Sequence, residues 1–170
     1  MADLPGGFTD ALARAVGEHE AGVVPDTFVL MAAAVRNDEQ GRGHAGRVIT
    51  SVREYAVAAG LAKVIAPVRP TLKSSYPLTP IDEFTTWKRP DGLPLDPWLR
   101  THVRLGATIL APAPASQTIT GTVADWEAWT GLALPSSGTY VIPAGLATLH
   151  VDRAADLGTY QEPNVWVRHA

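Results

Sequence analysis

A chain of 170 residues, 46% apolar and 18% charged, is long enough for one compact domain with a core and too apolar for a disordered chain. Its formal net charge of −3 gives no electrostatic reason to expect nucleic acid or an anionic membrane, and the lack of cysteine excludes disulfides, thiolate nucleophiles and cysteine metal sites. No apolar run reaches membrane-spanning length, Met1 to Phe8 lacks the basic and hydrophobic parts of a signal peptide, and the five histidines are not clustered at ligand spacing, so a cytoplasmic, metal-free protein is expected.

In chain order, Asp10 to His19 has a helix-compatible apolar pattern at Leu12, Ala15 and Val16, with Thr9 as its expected N-cap and Gly22 and Pro25 closing it. Thr27 to Val35 is mainly apolar without strict alternation, as in a central strand covered on both faces. Gln40-Gly41-Arg42-Gly43-His44-Ala45 follows, and then Val48, Ile49, Val52, Tyr55, Ala56 and Ala59 recur at helical spacing over Gly46 to Ala59, with Gly60 as the stop. Leu61 to Val68 reads as a second strand. Strand, glycine turn, helix, strand is a βαβ unit, whose right-handed crossover makes the strands parallel.

Pro70 to Asp96 is punctuated by Pro70, Pro77, Pro80, Pro90 and Pro94 around Tyr76, Phe84 and Trp87, and reads as an ordered excursion, either a lid over the sheet edge or a wall of a substrate cavity. Pro97 to Arg104 is expected as a short helix with Trp98, Leu99, Thr101, His102 and Leu105 on its buried face, ended by Gly106. Gln117 to Val123, Tyr140 to Ile142, Ala147 to Val151 and Val165 to Val167 read as extended, and Asp125 to Thr130 as helix or turn. The whole is expected as one domain over residues 1–170 with a proline-rich insertion at about 70–97.

The glycine turn is the strongest functional signal. The first amides of a helix lack intrahelical acceptors, the helix dipole adds positive potential, and glycine lets an anion approach the backbone, so the turn suits a phosphate. Arg42 adds a charge-assisted contact. The alternative is a tight strand-to-helix turn without a ligand.

With Gln40-x-x-Gly43-x-Ala45 set between that strand and that helix, the chain resembles the GNAT superfamily of N-acetyltransferases. A looser echo is Thr101-His102-Val103-Arg104-Leu105-Gly106-Ala107, and together the resemblance covers about residues 27 to 123. It implies an α/β fold with a mixed central sheet and flanking helices. The fold is expected to be N-terminally abbreviated, because only Met1 to Asp26 precede the cofactor-binding unit. It also implies acetyl-CoA or another acyl-CoA as cofactor, its pyrophosphate held by the backbone of Gly41 to Ala45 with Gln40 beside it, and a strand amide near Val35 polarising the thioester carbonyl. The family's tyrosine acid has two equivalents here, His102 by the count from Leu105-Gly106 and Tyr76 by its spacing after the second strand. Glu18, His19, Asp82 and Glu83 are candidate bases, with Glu18 taken first, and Arg69 and Lys73 are either phosphate contacts or a solvated basic edge.

The expected function is acyl transfer, most simply acetyl transfer, to a small-molecule amine. Two alternatives stand beside it: different acyl-CoA chemistry on the same fold, and a non-catalytic module completed by a homodimer or a partner subunit that supplies the missing strands. An unpaired sheet edge would favour such association.

Overall fold

The computed structural model describes residues 4–39 and 41–169, so the expected contact at Gln40 lies outside the described residues. Five helices, α1 (Phe8–Glu20), α2 (His44–Ala58), α3 (Ile81–Thr86), α4 (Pro97–Arg104) and α5 (Val123–Thr130), flank six strands. The strands are β1 (Thr27–Val29), β2 (Lys63–Val68), β3 (Thr108–Gly121), β4 (Gly138–Val141), β5 (Thr148–Asp152) and β6 (Leu157–His169).

The sheet runs β1-β2-β6-β5-β4, with β3 also paired to β6. β1 and β2 are parallel, as the βαβ reading requires, and the remaining pairs are antiparallel. β6 is the organising strand. β3 lies along almost all of one edge, while the other is shared by β2, against residues 165–169, and β5, against residues 157–160. Between those two partners, residues 161–164 have no strand on that edge.

Alternation divides the core. From β2 and β6, Ala66, Val68, Val165 and Val167 meet Ile81, Phe84 and Leu99 of α3 and α4 on one face, while Ile65 and Trp166 meet Ala11 of α1 and Ala113 on the other. With both faces covered, this part of the sheet is apolar throughout, as in a central strand. A third cluster packs Trp126 of α5 against Leu149, Val151 and Tyr160.

Several local expectations are corrected. Helix α1 begins at Phe8, with Gly7 rather than Thr9 at its N-cap and no side-chain cap bond. Gly7 is there because a Cβ would stand 2.2 Å from the Ser116 Cα, where the Ser116 hydroxyl accepts the Phe8 N–H at 2.8 Å. The strand expected to reach Val35 ends at Val29. The 70–96 excursion lays Ile81 and Phe84 on the sheet face and is tied down by Lys73, which is 1% exposed rather than part of a solvated edge. Its ammonium donates to the Tyr76 and Leu146 carbonyls at 2.7 and 2.5 Å, and burial lowers its pKa.

Candidate active site

The cleft forms where β1 leaves β2. The Leu30 N–H still donates to the Ile65 carbonyl at 2.8 Å, but residues 31–36 belong to no strand. In a strand, residues two apart present their backbone groups to the same edge, so Pro67 meets the β1 side without an N–H to offer. The pairing therefore stops for a reason written in β2. The strands part around a cleft of about 240 Å³, lined by Leu30 to Ala33 on one side and Ala66 to Arg69 on the other. Trp98, His102, Gln117, Glu162 and Asn164 complete much of the wall, the last two from the stretch of β6 left without a strand on one edge.

The glycine turn stands at the same, carboxyl end of the parallel pair, where ligands of open α/β sheets bind. Gly41 and Gly43 adopt φ values of 78° and 79°, which glycine tolerates best. Gly43 is the N-cap of α2, makes no side-chain cap bond, and has open space where a Cβ would lie. The first α2 amides therefore face a space suited to an anionic group. Arg42 and Arg47 flank the turn, although Glu39 accepts from Arg42 at 3.0 Å and bonds His44 at the same distance. A pyrophosphate would compete with that carboxylate for the arginine.

Of the expected catalytic residues, His102 reaches the cleft. Asp96 fixes its helix: one carboxylate oxygen caps α4 through the Trp98 and Leu99 amides at 2.9 and 2.8 Å, and the other accepts from the Leu72 N–H at 2.6 Å. An aspartate before Pro97 is a readable N-cap signal. His102 is 1% exposed, and burial first, then the neighbouring His169, hold its pKa down at about 4. It is therefore a neutral imidazole at neutral pH.

The other candidates lie elsewhere. Tyr76 is exposed and packs edge-on against Trp87 at 5.0 Å, Glu18 pairs with Arg14 on α1 at 2.7 Å, and His19, Asp82 and Glu83 are exposed. None of them lines the cleft, and neither does Val35, which lies beyond the part of its segment that does. No residue of the 70–97 excursion lines it either, and through Ile81 and Phe84 that segment covers the sheet face.

Sequence reasoning missed Glu162. Its carboxylate is the single acidic group lining the cleft among the described residues, and it accepts from Arg69 at 2.9 Å and from the Tyr160 hydroxyl at 3.2 Å. Tyr160 in turn accepts the Leu146 N–H at 2.9 Å, and Arg69 also donates to the Ala144 carbonyl at 3.0 Å. Cross-strand register brings Gln117 opposite Glu162. Nothing in the local pattern Gln161-Glu162-Pro163 signals this placement. No three His, Cys, Asp or Glu side chains converge as a metal site among the described residues, and no described helix is long and apolar enough to cross a membrane.

No family model matches the chain. Among known proteins it is similar to an arginine N-acetyltransferase, avaD, of Aspergillus versicolor, with 34% identity over 188 aligned positions that cover 98% of this chain. The chain spans 65% of the length of that relative. Among solved structures it is similar to the loading GNATL domain of CurA from Lyngbya majuscula, with a TM-score of 0.52 and 21% identity over 84% of this chain and 53% of that one.

Proposed function

We propose that the chain is a member of the GNAT superfamily and an acyl-CoA-dependent N-acyltransferase acting on a small-molecule amine, a reading supported by its similarity to an N-acetyltransferase and by the GNAT-like fold. Acetyl is the first acyl group to test and arginine the first acceptor, because those are what the relative's name states. The observation that carries the proposal is the coincidence of two features at one sheet end: the parting of β1 from β2 beyond Leu30 and the open Gly43 entry to α2.

The residues fit an acyl-CoA in a simple way. The amides of His44, Ala45 and Gly46 with Arg42 and Arg47 would hold its pyrophosphate, and the apolar walls from Leu30 to Ala33 and Ala66 to Val68 would shield its arm from water. The bound acyl-CoA supplies an activated acyl group as a thioester. Glu162 takes the acceptor's cation and then its proton on a carboxylate oxygen, which frees the nitrogen lone pair for attack. Arg69 and Tyr160 hold that carboxylate in place until the acceptor arrives. His102 is the remaining proton-handling side chain on the wall.

The test is a titration of the whole chain with acetyl-CoA and with CoA, followed by mass detection of acetylated arginine. Saturable binding abolished by Gly43→Trp supports the reading. A folded sample that binds neither compound overturns it.

One observation favours an assembly role beside this one. The outer edge of β1 has no strand partner among the described residues, and Phe28, Val48, Val52 and Tyr55 line an open apolar surface next to it. Solution mass recorded during the same titration separates the roles: a larger species that binds no CoA favours assembly alone.

A further inference from the structure

The buried histidine of the cleft wall, His102, forms a matched pair with the buried His169. His102 Nδ1 and His169 Nε2 stand 2.9 Å apart, and the two residues are 1% and 2% exposed. Their outer nitrogens, His102 Nε2 and His169 Nδ1, have no hydrogen-bond partner among the described residues. A bond between two ring nitrogens holds one proton, and a neutral imidazole carries one, so the choice of tautomer on one ring fixes the other. Two arrangements exist. Either both rings carry their proton on Nδ1, or both carry it on Nε2.

An intrinsic preference selects the second: the Nε2–H form is the favoured tautomer of neutral imidazole side chains, and only that arrangement gives it to both rings. His169 Nε2–H then donates to His102 Nδ1, and His102 Nε2–H is left as a donor on a residue that lines the cleft.

We propose that His169 is a positioning residue that locks His102 as a hydrogen-bond donor to an acceptor oxygen or sulfur in the cleft. The inference rests on the acyltransferase reading and deepens it by giving the two side chains opposite duties: Glu162 receives the acceptor's proton, and His102 donates a hydrogen bond from Nε2–H without giving that proton up. Both rings stay neutral throughout, because loss of a proton from the pair would leave a buried imidazolate.

The first readout needs no turnover. Nitrogen-15 NMR of the histidine-labelled whole chain is expected to show both rings in the Nε2–H form, and an Nδ1–H signature at His102 overturns the proposal. The second readout is kinetic. His169→Phe removes the donor and is expected to lower kcat about 10²-fold with the acetyl-CoA dissociation constant within about twofold, while His169→Asn, whose amide can donate to Nδ1, restores most of the rate. Unchanged kcat in His169→Phe overturns the proposal, as does equal loss in both variants when both are folded. Should His169→Phe not fold, the tautomer measurement on the unaltered chain still decides. Absence of CoA binding would instead remove the function reading and leave the tautomer result standing.

Discussion

Gly158 and Gly43 are the same residue in two regions built for opposite purposes. At Gly158, in the α5–β5–β6 lobe, a Cβ would lie 2.2 Å from Trp126 Cδ1, and the Trp126 indole N–H donates to the Gly158 carbonyl at 3.0 Å. At Gly43 nothing lies within 4 Å of the same point, and the glycine is required by its φ of 79°. One glycine admits a tryptophan of the chain itself; the other leaves space for something the chain does not contain. The packed lobe is finished without a ligand, whereas the cleft side keeps open amides, a half-paired strand and buried titratable groups. That contrast is what a binding site looks like in energetic terms, with stability given up locally for access.

Four measurements break or sharpen the contrast. Gly158→Ala should cost about 3 kcal/mol or more, because the new methyl overlaps a buried indole packed against β5 and β6, and urea unfolding would read it. A cost near zero would mean that the lobe is as yielding as the turn.

Acid should act from the other side. His102 titrates at about 4 in the fold against an ordinary 6.5, so between those values the unfolded chain binds more protons and stability falls as pH falls. The contribution is intact above the unfolded value and is lost by about pH 4, which amounts to roughly 3 kcal/mol. His169, whose pKa is also lowered by burial, acts in the same direction. Denaturant midpoints at several pH values should decline across that window more steeply in the unaltered chain than in His102→Asn.

A smaller effect is expected at the turn. Gly43→Ala should cost only about 1 kcal/mol, the price of left-handed backbone without a clash, and thermal melting would show it. The smallest change concerns Glu39, which draws on Arg42 and His44 beside the turn. Glu39→Gln should tighten CoA binding by about twofold at low salt, an effect that shrinks as salt is raised; calorimetric titration is the check.

The parts legible in the sequence were those set by local chemistry. The β1–α2–β2 unit, its parallel pairing, the Gly43 entry and the short α4 helix follow from periodicity and turn residues over neighbouring positions. The parts that were not legible depend on distant register. Pro112, Pro114 and Pro163 hid the length of β3 and β6, because proline within a strand ordinarily argues against one. Here the β3–β6 ladder shifts register between Ala113 and Gln117, the stretch that holds Pro114 and faces Pro163, which relieves the sheet of those two missing donors, while Pro112 stays in the ladder opposite Val165. The site shared this fate. His102 was found through its helix, but Glu162 and His169 reach the cleft and the buried pair on β6, and their relation to His102 exists only once strands far apart in sequence are side by side.

The placement of β6 also sets an order of events. Its three partners, β2, β3 and β5, all precede it in the chain. During synthesis none of them can complete its hydrogen bonding until β6 has left the ribosome, so apolar strands wait half-paired for a later partner. Folding is then a late closure dominated by long-range contacts, a pattern that is slow and exposed to aggregation. The strand that brings Glu162 to the cleft and His169 to the buried pair is thus also the one whose arrival closes the sheet.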